Sequence, residues 1–174
     1  MSKPDRITKL EAAKRQLVVA TELYFRDSDS AAIHTLVAAS YNVIRDLSKR
    51  AHLPPMAKDY LLTTISPGKR KEVERWLNSF ENFLKHADRD PDETIELSPT
   101  LSEAMLEDAW AQFERLGGTL PPAGKTLKLW CGNIKAGAPE AVKGFATEMK
   151  RLGKQRFYET VVQWMSVKPT RSGG

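Results

Sequence analysis

Apolar residues recur along most of this chain at the i, i+3, i+4, i+7 spacing that paints one stripe of an α-helix. The clearest case runs from Lys71 to Asp92, where Val73, Trp76, Leu77, Phe80, Phe83 and Leu84 share a face. This spacing predicts a core helix, ended by Pro91. On a second face of the same helix lie Arg75, Ser79, Asn82 and His86, a polar stripe with an amide and an imidazole one turn apart.

The remaining elements follow from the same periodicity. A first helix should begin near Asp5 as N-cap and run to about Arg26, with Ile7, Leu10, Leu17 and Tyr24 as its stripe. Asp27 to Ser30 is a turn, and Ser28, Asp29 or Ser30 caps a second helix reaching about Ala51. Its Ile33, Leu36, Val37, Ile44 and Leu47 face a neighbour, and the small Ala38, Ala39 and Ser40 allow close approach. Together these two form an antiparallel hairpin. Leu53-Pro54-Pro55 and Ser66-Pro67-Gly68 bracket a short helix over Met56 to Ile65. After a loop from Asp88 to Thr100, Thr100 and Glu103 have the spacing of a capping box for a helix carrying Leu101, Met105, Ala109, Phe113 and Leu116, which Gly117-Gly118 stops.

A Pro-rich link then leads to Leu127, Trp130, Cys131 and Ile134; a further helical region carries Val142, Phe145, Met149 and Leu152; and Gly153 separates it from Phe157, Val161, Trp164 and Met165. No stretch shows β alternation. The fold class is therefore all-α, an antiparallel helical bundle in one domain over residues 1–167. The bundle core spans about 5–118 and a C-terminal helical extension about 123–167, with a disordered tail over 168–174. Trp76, Trp110, Trp130 and Trp164 all fall on apolar stripes and are expected to pack inside.

Composition narrows the classes. At 174 residues, 41% hydrophobic and 28% charged, the chain has the size of one ordinary domain. No run of 18 apolar residues exists and the charged first residues do not make a secretory signal, so a cytoplasmic protein with no membrane partner is expected. The lone Cys131 can form no internal disulfide and reads as a small apolar residue. The net charge of +5 is uneven: from Ala123 onward ten Lys and Arg face three Glu, a balance of +7 that leaves −2 for the rest. This basic C-terminal third suits a nucleic acid or an acidic protein partner.

Three tempting motifs do not hold. In Gly118-Thr-Leu-Pro-Pro-Ala-Gly124-Lys125-Thr126 five residues separate the glycines instead of four, and two of those five are prolines without an amide donor, unlike a phosphate-binding loop. Asp88, Asp90 and Asp92 have calcium-loop spacing, yet Glu93 stands where the sharp turn needs glycine and Pro99 where the bidentate Glu belongs. The three histidines, His34, His52 and His86, have neither the mutual spacing nor the Cys or carboxylate pattern of a zinc site. No metal and no cofactor is expected.

What remains is Asn82-Phe-Leu-Lys85-His86-Ala-Asp88-Arg89-Asp90-Pro91. This element, after a long helix pair holding Glu11-Ala-Ala-Lys-Arg-Gln-Leu and Ile33-His-Thr-Leu-Val-Ala-Ala-Ser, resembles the HEPN superfamily of all-helical bundles over roughly residues 5–115. It is most similar to uncharacterised bacterial proteins with an Asn-Phe-(Phe/Leu)-Lys-His-Ala-Asp-Arg-Asp-Pro element. Many members of the superfamily are metal-independent RNases, often toxins or phage-defence effectors, with an active site built across a dimer. The resemblance thus implies a homodimer, His86 as general acid or base, Asn82 as the polar companion, and an arginine stabilising charge on the scissile phosphate. The arginine position is Glu81, a carboxylate where a cation belongs. Two functions stay open: a non-catalytic module binding nucleic acid, nucleotide or protein, and a divergent RNase using His86. Lys85, Asp88, Arg89 and Asp90 are candidate ligand-binding residues beside it. His34 joins them if packing brings its ring within reach of the Asn82/His86 stripe.

Overall fold

The computed structural model describes residues 5–86, 91–132, 144–145, 147–148 and 150–166. Among the described residues there are seven helices and no strand: α1 (Lys9–Phe25), α2 (Ser30–Arg50), α3 (Ala57–Thr64), α4 (Pro67–Lys85), α5 (Pro99–Arg115), α6 (Pro122–Trp130) and α7 (Lys154–Ser166). No described helix is long and apolar enough to cross a membrane. The expected tail from Lys168 lies outside the described residues.

The ends of the helices are set by local chemistry. Thr8, not Asp5, caps α1, its hydroxyl accepting from the Glu11 N–H at 3.1 Å; Asp5 instead pairs with the Arg15 guanidinium. Asp29 caps α2 through the Ala32 N–H at 2.8 Å, one of the three residues expected there. The capping box expected at Thr100 does not form. Pro99 is already the first residue of α5, with Ser98 before it, and Glu103 is drawn to the Tyr24 hydroxyl instead. Gly117 closes α5 at a positive φ of 85°, a conformation that favours a residue without Cβ.

The core is one contiguous cluster. The α1–α2 hairpin supplies Leu17, Phe25, Val37 and Ile44, α5 supplies Leu106, Trp110 and Phe113, and the C-terminal helices insert Leu127, Phe157 and Val161 into the same cluster. Phe25 is fully buried at the junction, its ring stacked on Tyr158 at 5.0 Å and set edge-on to Tyr24 and Trp130 at 5.3 and 5.8 Å. The Trp110 indole N–H donates to the Thr21 hydroxyl at 3.0 Å, and that hydroxyl donates to the Leu17 carbonyl at 2.7 Å, so the buried polar atoms of this pair are satisfied.

Helix α4 departs from the core role its apolar stripe predicts. None of its residues is buried. Val73, Leu77, Phe80, Phe83 and Leu84 are only half-buried and Trp76 is 56% exposed. The core is already filled by α1, α2, α5 and the C-terminal helices, and α4 lies outside α2 as one arm of an α3–α4 hairpin. Trp164 is also exposed, at 66%, and Trp130 is half-buried; of the four tryptophans expected inside, Trp110 alone is fully enclosed.

Candidate functional site

Helix α4 divides into an inner and an outer face, and the candidate residues fall on both. The outer stripe extends further than the sequence reading placed it: Lys71, Arg75, Ser79, Asn82 and His86 follow one another at three- and four-residue intervals, and all but the half-buried Ser79 are exposed. The His86 backbone N–H donates to the Asn82 carbonyl at 2.9 Å and so closes the last turn. The side chains of Asn82 and His86 make no hydrogen bond with any described residue and stand open to solvent one turn apart at the helix end. Lys85 is turned aside to pair with Glu81, one turn back. Asp88, Arg89 and Asp90 lie outside the described residues.

The first turns of α4 concentrate positive charge. Lys69, Arg70, Lys71 and Arg75 are exposed, against Glu72 and Glu74, and none of the four cations has an ion-pair partner among the described residues. Lys69 and Arg70 stand in the first turn, where the helix dipole disfavours cations by a few tenths of a kcal/mol to about 1 kcal/mol each. Intramolecular pairing therefore does not account for their placement. Two exposed aromatic rings, Tyr60 on α3 and Trp76 on α4, belong to the same hairpin. The basic C-terminal third is more self-contained than its sequence charge suggests. Of its six described cations (Lys125, Lys128, Lys150, Arg151, Lys154 and Arg156), Lys128 pairs with Glu114, Arg151 with Glu148 and Lys154 with Asp27.

The inner face of α4 closes a pocket of about 160 Å³ against α2, α3 and α5. Its apolar wall includes Ala38, Leu61, Leu77, Leu101 and Met105. At one end stands His34, buried, its Nδ1 at 3.2 Å from the Ser102 hydroxyl and its ring 5.9 Å from that of Phe80. At the other end Tyr41, Asn42, Lys58, Glu81 and Asp108 gather. The pairs His34–Ser102 and Tyr41–Asp108 run in the same chain direction, so α2 and α5 lie parallel here and set the two polar pairs about two turns apart. A bidentate clasp of Arg45 on Asp59 fastens α3 to α2 beside it.

Glu81 decides how the outer residues can act. Asn42 Nδ2 donates to both its oxygens, at 2.8 and 2.9 Å, and Lys85 to one of them. Burial pushes the Glu81 carboxyl up, but the bonds from Lys85 and Asn42 and the nearby charges of Lys85 and Lys58 outweigh it, and the group sits below the ordinary carboxylate range. Glu81 is thus a fixed anion in the pocket wall, bound by an amide and an ammonium. His34 makes no hydrogen bond to the Asn82/His86 stripe; its described polar partner is Ser102.

Burial lowers the His34 imidazole below its ordinary range, with Glu81 opposing, so the ring is neutral in the folded chain near pH 7. The unfolded chain takes up that proton with ordinary affinity at about pH 6.5. It then binds more protons than the folded chain, and stability falls as pH drops through that range. In urea denaturation at about pH 7.5 and about pH 5, His34→Gln should lose less stability between the two than wild type; equal losses would place no titration at His34.

Sequence reasoning missed Tyr41, Asn42, Lys58, Asp108 and Lys71. The available signal was polar residues interrupting apolar stripes, Tyr41-Asn42 between Val37 and Ile44 and Asp108 beside Ala109. Which neighbours they meet depends on helix packing. Among the described residues no group of three or more His, Cys, Asp or Glu side chains converges as a metal site would require. In comparisons with known proteins, no family model, no curated protein and no solved structure matches the chain.

Proposed function

We propose that this protein is a non-catalytic helical module that binds single-stranded nucleic acid along the outer face of α4. One observation carries the reading: Lys69, Arg70, Lys71 and Arg75 concentrate unpaired positive charge in the first turns of a helix, Lys71 and Arg75 on its outer stripe, and the neighbouring apolar face of that helix presents an exposed tryptophan. Cations that track a phosphate backbone, together with aromatic rings on which bases stack, are the two parts of sequence-tolerant single-strand binding. The position where the HEPN resemblance calls for arginine holds Glu81, an anion hydrogen-bonded by Asn42 and paired with Lys85. No positive group is thereby added beside His86 to stabilise a phosphate in transition.

The test is a fluorescence-anisotropy titration with a labelled mixed-sequence single-stranded RNA at several salt concentrations. With about four phosphates neutralised, log K should fall against log salt with a slope of roughly −3. A salt-independent affinity, or no binding at low salt, contradicts the reading.

A second reading is favoured by the exposure of Asn82 and His86 one turn apart at the end of α4. A divergent, metal-independent RNase would use His86 as general acid or base and draw its positive charge from Lys85 or Arg89. Such an enzyme cleaves RNA in EDTA, and His86→Ala abolishes the cleavage.

A further inference from the structure

The polar end of the pocket behind α4 holds opposite charges that are not spent on each other. Lys58 Nζ donates one hydrogen bond, to the Asn78 side-chain oxygen, and has no carboxylate within ion-pair distance among the described residues. An ammonium carries three N–H donors, so two remain. Asp108 receives the Tyr41 hydroxyl at 2.7 Å and the Ala57 N–H at 2.8 Å on the same oxygen, Oδ2. Its Oδ1 accepts nothing from the described residues. Asn42 gives its NH₂ to Glu81 and keeps its own oxygen without a donor. All three side chains line the same cavity. The site therefore offers spare donors on a cation and spare acceptors on an anion and an amide, next to a wall built from Ala38, Leu101 and Met105.

We propose that this pocket binds a small apolar α-amino acid as its zwitterion. The carboxylate sits against Lys58, the ammonium against Asp108 Oδ1 and the Asn42 oxygen, and the hydrocarbon side chain extends along the apolar wall toward His34. A ligand with only an anionic head satisfies Lys58 and leaves Asp108 unmatched; one with only a cationic head does the reverse. Both charges are needed because unmatched polar groups in a half-enclosed site cost affinity. Size points the same way, since a cavity of about 160 Å³ is smaller than the roughly 300–1,000 Å³ that hold drug-sized ligands. The pocket is separate from the outer face of α4, so this inference stands whether or not the protein binds nucleic acid.

The test is calorimetric titration of the full chain with L-leucine, L-valine and L-methionine at millimolar concentration. Two analogues of leucine, 4-methylpentanoate without the ammonium and isopentylamine without the carboxylate, serve beside them. At least one amino acid should bind saturably and raise the melting temperature, and the two analogues should bind at least about tenfold more weakly. Lys58→Met and Asp108→Asn should each remove the binding, while Lys71→Glu on the outer face leaves it intact; circular dichroism shows which variants are folded. The proposal is overturned if none of the three amino acids binds wild type, if either analogue binds as well as leucine, or if folded Lys58→Met retains wild-type affinity. Equal binding of uncharged N-acetyl-leucinamide also overturns it, in favour of a peptide segment as the occupant.

Discussion

Replacing Phe25 by alanine should destabilise the fold by about 3–5 kcal/mol, the range for emptying a buried aromatic site. Phe25 is fully buried and is the point where the N-terminal hairpin meets the C-terminal helices, with Tyr24, Trp130, Phe157 and Tyr158 around its ring. These neighbours are large rings on different helices and cannot easily collapse into the space together, which places the cost toward the upper part of the range. A single domain typically has only about 5–15 kcal/mol of stability to lose. Phe25→Ala should therefore leave a chain that is substantially unfolded at moderate urea. Trp164→Ala removes a larger ring that is 66% exposed and should change stability by less than about 1 kcal/mol. Urea midpoints of the two variants beside wild type check both values. Similar losses for the two would mean that the C-terminal helix is anchored through Trp164 and not through Phe157 and Val161.

Reversing two charges on the outer face of α4 should have the largest effect on binding. Lys71→Glu with Arg75→Glu removes two phosphate contacts and adds two repulsive ones along one stripe of the helix. Each single-strand phosphate contact contributes about 0.7 to the salt slope. The double variant should therefore lose roughly 1.4 from that slope and at least about tenfold in affinity at low salt. Both residues are exposed and unpaired among the described residues, so the substitutions should leave the urea midpoint within about 0.5 kcal/mol of wild type. The corresponding reversal at Arg151 and Lys154 should weaken binding less, because these side chains already have Glu148 and Asp27 as partners. If instead the C-terminal pair dominates, the basic third of the chain is the interface and α4 is not.

The helices were largely legible in the sequence because each carries a complete apolar period and a breaker at its ends. Asp29 as a cap, Gly117 at the end of α5 and Gly153 before α7 are local signals that act within a turn of where they are written. The errors arose where a local signal met a tertiary competitor. Glu103 has the spacing of a capping box but finds the Tyr24 hydroxyl from another helix. The stripe of α4 has core periodicity but is only half covered, because periodicity reports that a helix has an apolar face and not how much of it a neighbour hides.

The candidate site was legible by half for the same reason. Asn82 and His86 stand one turn apart on one helix, and their spacing alone puts them together. The pocket on the other face draws Tyr41 and Asn42 from α2, Lys58 from α3, Glu81 from α4 and Asp108 from α5. No spacing within any one of these segments encodes that meeting. His34 lines this cavity as well, although its polar partner is Ser102 and not the Asn82/His86 stripe.

The most direct measurement of whether this is a binding module is one gel. End-labelled single-stranded RNA is incubated with wild type or His86→Ala in EDTA, and each sample is run both native and denatured. A binding module retards the native RNA in both lanes and leaves full-length RNA on the denaturing side. Shortened RNA produced by wild type and not by His86→Ala would contradict the account and make His86 a catalytic residue; no retarded band with either protein would remove nucleic acid as the partner.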